Sequence, residues 1–513
     1  MMIHYLTVHP ETYVDSIMQL SGTRALRAVE GVDWASAAMA TPTNVATLEE
    51  EGFDPGDLSG AGANDLVLAV RAEVQDAVDA ALEAGEQALF AARGGGSAEA
   101  SLPPATTLDE ALRRQPDSTV AVVSVPGDYA ALEAHKALSA GLHVLLFSDN
   151  VPVEDEIALK DRAVELGLLV MGPGAGTAML GGTCLGFANV VAPGRVAVVA
   201  AAGTGAQEVA TLLDRWGVGI SQVVGLGGRD LGARVAGRMA IAAVGGLAAD
   251  EGTDAILLVS KPPDVDVARE VLAAAGDTPL VAALIGVPED FEAPPGVTVT
   301  RTLEAGAVAM ARIAGASEPD VTSGLVEEVR TTAARLPERR TLVRGLFSGG
   351  TLCYESLVVL ADALGDVHSN TPLREGLGLP APAGAHTCLD LGEEEFTKGR
   401  PHPMIDPQAR LELLRATGAD PDVAAIVLDV VLGYGAHDDP AAELAPECAR
   451  IVADGGPAIV IHVLGTDQDP QNRERQRAAF VDAGCLVTAT GARASLAAAA
   501  LARREPEIAA RAL

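Results

Sequence analysis

The chain carries only five cysteines in 513 residues, Cys184, Cys353, Cys388, Cys448 and Cys485. They are odd in number, far apart and form no CxxC pair, which argues against a disulfide framework and a thiolate zinc site and fits a reducing cytoplasm. Basic residues are scarce as well. The 36 Lys and Arg face 70 Asp and Glu, a formal net charge of −34 that repels phosphate backbones and anionic headgroups, so nucleic acid and membrane surfaces are excluded as partners. No apolar run approaches the roughly 18 residues of a spanning helix. The opening MMIHYLTVHPETYVDSIMQL has no basic start followed by an apolar core, so no targeting segment is expected.

Aromatics make up 3% of the chain and glycines number 55, a composition suited to tightly packed α/β layers in which small residues let helices lie close on sheets. At roughly 150 residues per domain the length predicts three or four domains. From residue 119 onward short β-branched runs alternate with helical segments: TVAVVSV, HVLLFS, LLVMG, RVAVVAA, QVVGLG, AILLVS, LVAALIG, LVRGLFS, AIVLDVV, AIVIHVLG and CLVTAT. That alternation predicts α/β folding with parallel, doubly wound sheets. Before it, EVQDAVDAALEAGEQALFAAR predicts a helix ending at Gly94, and GGGSAEASLPPAT predicts a domain boundary. The polar helix LVEEVRTTAARLPERR predicts a second linker.

An internal repeat organises the rest. VAAAGTGAQEVATLL (199–213) is matched by GLFSGGTLCYESLVVL (345–360), with Gly203 and Thr204 falling on Gly350 and Thr351, and Glu208 on Glu355. The offset grows downstream, which places insertions in the second copy, notably LGEEEFTKGRPHPMIDPQAR. Each copy opens with a strand, a small polar loop and a helix. Such a loop offers unpaired N–H groups and the positive end of a helix dipole to a phosphate or carboxylate, which makes Gly203, Thr204, Gly205, Ser348, Gly349, Gly350 and Thr351 the candidate anion-binding residues. A tight strand-to-helix turn with no ligand is the competing reading.

The acid/base candidates are two histidines. His437 follows the apolar run AIVLDVVLGYGA, beyond the carboxyl end of a parallel strand, where ligands sit in such sheets; it could equally cap a helix beside Asp438 and Asp439. His402 lies in RPHPMID, where Arg400 could clamp a carboxylate or phosphate, or the segment is a stiff surface turn. Arg400, Asp406 and Gly433 complete the candidate substrate contacts. His462, inside AIVIHVLG, reads as a hydrogen-bonded core histidine, and Cys353 as a packing residue. Asp390 and Asp429 flank strands without paired oxygen ligands at a recognisable spacing, so no metal is assigned.

The block GPGAGTAMLGGTCLGFANVVAPGRVAVVAAAGTGAQEV (172–209) resembles the α chain of succinyl-CoA synthetases, and the tail AIVIHVLGTDQDPQNRERQRAAFVDAGCLVTATGARASLAAAA is similar to the ligase domain of their β chain. ATPTN, LFSGGTLCYES, GRPHPMID and LDVVLGYGAHDDP narrow the resemblance to the FdrA family of acyl-CoA synthetase-like proteins. The resemblance implies an FdrA-type N-terminal segment (1–98), a Rossmann-like CoA-binding domain (99–193), two flavodoxin-like ligase domains (194–318 and 341–513) and a linker helix (319–340). It further implies acyl or carbamoyl transfer through an acyl-phosphate-type species. In FdrA-like proteins the associated role is a subunit of an oxamate carbamoyltransferase in ureide catabolism. CoA or phosphate are the implied ligands, Mg and ATP would come through a partner subunit, and a hetero-oligomer is expected. A metabolite-binding scaffold without catalysis is the remaining alternative. Two features depart from the superfamily: no glycine-rich phosphate loop precedes residue 100, and EDFEAPPGVTVTRT, after the strand that should lead to a phosphorylated histidine, contains none.

Overall fold

Every apolar run quoted from residue 119 onward is a strand in the computed structural model, which describes residues 2–12, 14, 16–90, 105–288, 290–317, 319–397 and 401–513. The chain divides into two units, Met1–Ala105 with Thr397–Pro401, and Thr106–Phe396 with His402–Leu513. Most of the boundary expected at GGGSAEASLPPAT, and the end of the preceding helix at Gly94, lie outside the described residues, and the units part between the last two residues of that stretch, Ala105 and Thr106.

In the first unit β1 (Ile3–His9), α1 (Ser16–Arg27), β2 (Val32–Met39), α2 (Pro42–Glu50), β3 (Leu66–Ala72) and α3 (Gln75–Phe90) form an antiparallel sheet of order β1-β3-β2. The central strand LVLAVRA is buried on both faces, which is why it reads as a continuous apolar run.

The second unit begins with α4 (Leu108–Arg114), β4 (Val120–Val123), α5 (Gly127–Ser139), β5 (His143–Leu146), α6 (Val153–Leu166) and β6 (Val170–Met171), an abbreviated Rossmann-like layer whose three strands run parallel in the order β4-β5-β6. A hairpin, β7 (Thr177–Leu180) and β8 (Thr183–Gly186), turns on Gly181 and Gly182, both at positive φ. It joins the next sheet through an antiparallel pairing of β7 with β10. The segment 177–186, expected with the CoA-binding-like domain, thus belongs to the first ligase-like sheet.

That copy comprises β9 (Pro193–Ala200), α7 (Gly203–Arg215), β10 (Ile220–Gly225), α8 (Arg238–Ala248), β11 (Ala255–Ser260), α9 (Val265–Ala273), β12 (Leu280–Leu284), β13 (Val297–Thr300) and α10 (Leu303–Ile313). Its parallel strands lie in the order β10-β9-β11-β12-β13, the 2-1-3-4-5 order of flavodoxin-like sheets. After the linker α11 (Leu325–Ala333) the second copy follows. It runs through β14 (Leu342–Phe347), α12 (Gly350–Leu364), β15 (Val367–Ser369), β16 (His386–Asp390), α13 (Glu394–Thr397), α14 (Gln408–Gly418), β17 (Val423–Val431), α15 (Pro440–Ala453), β18 (Ala458–Leu464), α16 (Arg473–Asp482), β19 (Leu486–Thr488) and α17 (Gly491–Arg503). Here the order is β15-β16-β14-β17-β18-β19: the same sheet with β16 wedged in beside the first strand. The insertion expected in this copy therefore starts inside the sheet.

The two copies share one core, built from α7 and α10 of the first against α12 and α17 of the second. Alanine along α17 permits that closeness, since residues 491–502 are buried without interruption. The matched glutamates cross over. Glu355 Oε1 accepts the N–H of Leu303 at the start of α10 (2.6 Å), and Glu208 Oε1 accepts that of Gly491 at the start of α17 (3.4 Å), so each copy caps a helix of the other.

Candidate functional site

The crossed packing brings the two repeated loops face to face. Neither α7 nor α12 has a side-chain cap at its N-terminus. Thr351 N–H donates to Oγ1 of Thr204 at 3.3 Å, directly from one helix start to the other. Glycine is required for the approach. A methyl group on Gly205 would sit 2.8 Å from Cγ2 of Thr351, and one on Gly349 would sit 3.0 Å from Thr204 Oγ1. Between the loops opens a cavity of about 330 Å³ whose lining includes Gly203, Thr204, Ser348, Gly350 and Thr351. Two helix dipoles thus point their positive ends into one polar cavity.

Side chains from elsewhere add to the wall, among them Lys261, Asp390 and His402, with Glu393 and Met404. Lys261 follows the last residue of β11, Asp390 ends β16, and His402 lies in the insertion of the second copy. Lys261 Nζ and Asp390 Oδ2 lie 3.5 and 2.4 Å from the point that a Cβ on Gly350 would occupy, so both face the start of α12. Asn370 fixes the backbone of Asp390 from both sides: its Nδ2 donates to Asp390 O at 2.9 Å and its Oδ1 accepts Asp390 N–H at 3.0 Å. Burial pushes the Asp390 carboxyl up to about 6, with Lys261 the largest opposing influence. His402 Nδ1 accepts the Met404 N–H at 3.2 Å, and burial lowers the ring's pKa against the pull of the Asp429 carboxylate. The neutral ring therefore carries its proton on Nε2, the atom that lies 2.6 Å from where a Cβ on Gly392 would be, at the cavity wall.

The two loops are not equivalent. In the second, Asp429 is 1% exposed and already takes the donors expected for an anion: Ser348 N–H at 2.8 Å, Ser348 Oγ at 3.0 Å and Gly349 N–H at 2.7 Å. Arg410 neutralises this carboxylate from behind, donating to Oδ1 at 2.8 Å. Ser348 and Gly349 are thus corrected from free anion donors to partners of an internal carboxylate. The equivalent position in the first copy is Val259, so among the described residues no carboxylate takes up the N–H groups at Gly203 to Gly205, of which Gly203 and Thr204 line the cavity. Ala206 N–H closes back on Ala202 O, leaving Gly203, Thr204 and Gly205 as first-turn donors.

His437 does not line the cavity. Its Nδ1 accepts the N–H of Asp439, which caps α15 through Ala442 at 3.3 Å, so the ring shapes a helix start. Gly433, at φ 110°, is where β17's end meets Ala188, and its N–H is held by Gln471 at 3.0 Å. Asp406 accepts the Gln408 N–H before α14. Of these three, none borders the cavity. Arg400 lies outside the described residues. His462 is a core histidine, bonded to Glu208 at 2.7 Å, and Cys353 is buried with its thiol pushed well up by that burial. Lys261 and Asp390 were missed as a pair. The signal was their place just past or at the end of a parallel strand, in a chain with four lysines.

A family model described as CoA-ligase matches residues 346–501, and one described as AllF, heavy metal-associated domain, matches residues 1–103. The latter segment contains no cysteine, and among the described residues no group of three His, Cys, Asp or Glu could hold a metal, so the residues present do not fit a heavy-metal site. The chain is 30% identical over 208 residues to the alpha 2 subunit of the ADP-forming succinate–CoA ligase of Archaeoglobus fulgidus, spanning 39% of this chain and 69% of that one. It aligns with the dinucleotide-forming acetyl-coenzyme A synthetase 1 of Ca. Korarchaeum cryptofilum over 77% of this chain and 85% of that one, at 18% identity and a TM-score of 0.27. With the uncharacterized protein YahF of Escherichia coli strain K12 it shares 37% identity over 505 residues, 96% of this chain and 97% of YahF. The chain belongs to the family that includes YahF, within the superfamily of the succinate–CoA ligases.

Proposed function

We propose that the cavity between the two helix starts holds phosphate and that the chain is an FdrA-like enzyme of acyl or carbamoyl transfer through an acyl-phosphate-type species. The observation that carries this is the convergence of α7, α12 and Lys261 on one polar cavity, with the α7 donors unplugged. The reading we favour within it is phosphorolysis of oxalurate, as one subunit of an oxamate carbamoyltransferase; the AllF description of the N-terminal match supports it. In that step a phosphate oxygen attacks the ureido carbonyl carbon, the bond from that carbon to the oxamate nitrogen breaks, and the proton lost by hydrogen phosphate ends on that nitrogen. Products are carbamoyl phosphate and oxamate, with no CoA, ATP or phosphohistidine consumed. The α7 N–H groups and Lys261 would carry the phosphate charge, and His402 Nε2–H would face the oxygen of the attacked carbonyl as it gains charge.

A second reading is a CoA ligase. Its support is the CoA-ligase match and the relatives, among them the malate–CoA ligase alpha subunit of Methylorubrum extorquens. It would draw Mg, ATP and CoA through partner subunits, because this chain lacks the superfamily's glycine-rich loop and its histidine after β12. Either reading implies a hetero-oligomer.

Phosphorus NMR separates them, with the chain alone and with the products of neighbouring genes. Oxalurate and phosphate are given in one tube and ATP, CoA and succinate in another. Carbamoyl phosphate in the first supports the transferase. CoA-dependent ADP formation in the second replaces it with the ligase, and silence in both with a metabolite-binding scaffold.

A further inference from the structure

The cavity holds a feature that phosphate alone does not use. The start of α7 and Lys261 suit an anion, yet beside Lys261, at the start of α12, Asp390 presents a carboxylate oxygen. Asp390 is 2% exposed, its backbone is clamped by Asn370, and its Oδ1 accepts the Gly392 N–H at 3.0 Å. Only Oδ2 is left to face the cavity, beside Lys261, and among the described residues no ion pair ties the two together. A fixed anionic acceptor next to a phosphate site repels a second carboxylate and is itself left without a donor when an acetyl methyl faces it. It suits a group that carries N–H.

Resting on the phosphate reading above, we propose that Asp390 Oδ2 is the specificity-determining acceptor for the amino group of a carbamoyl moiety, so that the site selects carbamoyl phosphate over acyl phosphates of the same shape. Asp390 exists only in the second copy, because β16 has no counterpart in the first. The selectivity device is therefore an addition to the duplicated fold.

Carbamoyl phosphate and acetyl phosphate test this directly, since they differ by NH₂ against CH₃ on one frame. Titrated calorimetrically into the full chain in the cold, with inorganic phosphate as reference, carbamoyl phosphate is expected to bind about tenfold or more tighter than acetyl phosphate, the worth of one hydrogen bond to a charged acceptor. Asp390→Asn is informative because the Gly392 N–H holds the acceptor oxygen, turning the new NH₂ toward the cavity. That variant is expected to lose carbamoyl phosphate preference, while phosphate and acetyl phosphate bind at least as tightly as before because a negative charge beside them is gone. Equal binding of both ligands by the unmodified chain, with phosphate still bound, overturns the selectivity proposal and spares the phosphate site. Failure to bind phosphate at all overturns both. A uniform loss of all three ligands in Asp390→Asn, or phosphate binding that needs Mg²⁺ only when Asp390 is present, overturns it too, by making the residue a structural strut or a cation ligand.

Discussion

Replacing Asp429 with alanine tests whether the second loop is filled from inside. The carboxylate accepts three hydrogen bonds from Ser348 and Gly349 and pairs with Arg410, which is 2% exposed. Its removal strands a buried guanidinium, a loss of about 3–5 kcal/mol, and leaves two buried N–H groups to seek other partners. Among the described residues Arg410 keeps its bonds to the carbonyls of Leu346 and residue 429 alone. With a urea slope of about 3 kcal/mol per molar or more for a unit of this size, the unfolding transition should move down by roughly 1 M. Acetate or formate, at ionic strength matched with chloride, should recover part of the loss, because a free carboxylate can enter the vacated position and meet the same donors. Urea titration followed by circular dichroism measures both effects. A loss below about 1 kcal/mol would refute the reasoning, as would identical midpoints in acetate and chloride, since either means that the loop never depended on an internal anion.

Lys261→Met should weaken inorganic phosphate about 10- to 100-fold in a calorimetric titration, the value of one charge-assisted contact, with the fold intact. Val259→Asp would plug the first loop as Asp429 plugs the second, so phosphate binding should vanish, and without an arginine behind the new carboxylate the variant should also be less stable; phosphate binding at the native affinity would contradict the unplugged-loop assignment. Glu355 is driven up to about 8 by burial, Glu208 adding to the effect. A raised folded value means that the native state holds a proton the unfolded chain has released, so stability falls as pH climbs from about 4.5 to 8, by roughly 1.4 kcal/mol per unit, and is flat above. Glu355→Gln should remove that slope in the difference between the two unfolding curves, and parallel curves would contradict it.

The strands, the repeat and the presence of an insertion were legible because each rests on local pattern: period, spacing and self-similarity. What the loops do was only half legible. GTG and SGGT announce the same turn, yet whether a turn's N–H groups stay free is decided on the neighbouring strand of the sheet, at Val259 in one copy and Asp429 in the other. The histidines show the same limit. His437 and His402 both follow strand-like or braced segments, and only the path of the insertion brings His402 Nε2 to the cavity while Asp439 claims the ring of His437. Asp390 was hidden for another reason. HTCLD is a short strand with polar ends, and its place as a wedge between β14 and β15 depends on pairing over long sequence separations.

Duplication built a cavity with two positive helix ends, and two such ends so close together would hold only anions. The departures from symmetry convert it into something more selective. The Asp429–Arg410 pair quenches the end at α12 within the protein, Lys261 brings a side-chain cation to that quenched end, and β16 places a fixed acceptor beside it. Had both loops stayed open, two phosphates would compete for one cavity, and like charges at that range in a buried site repel strongly. With one plugged, the space beside the single anion is free for the group joined to it, and the residues around that space decide which group it is.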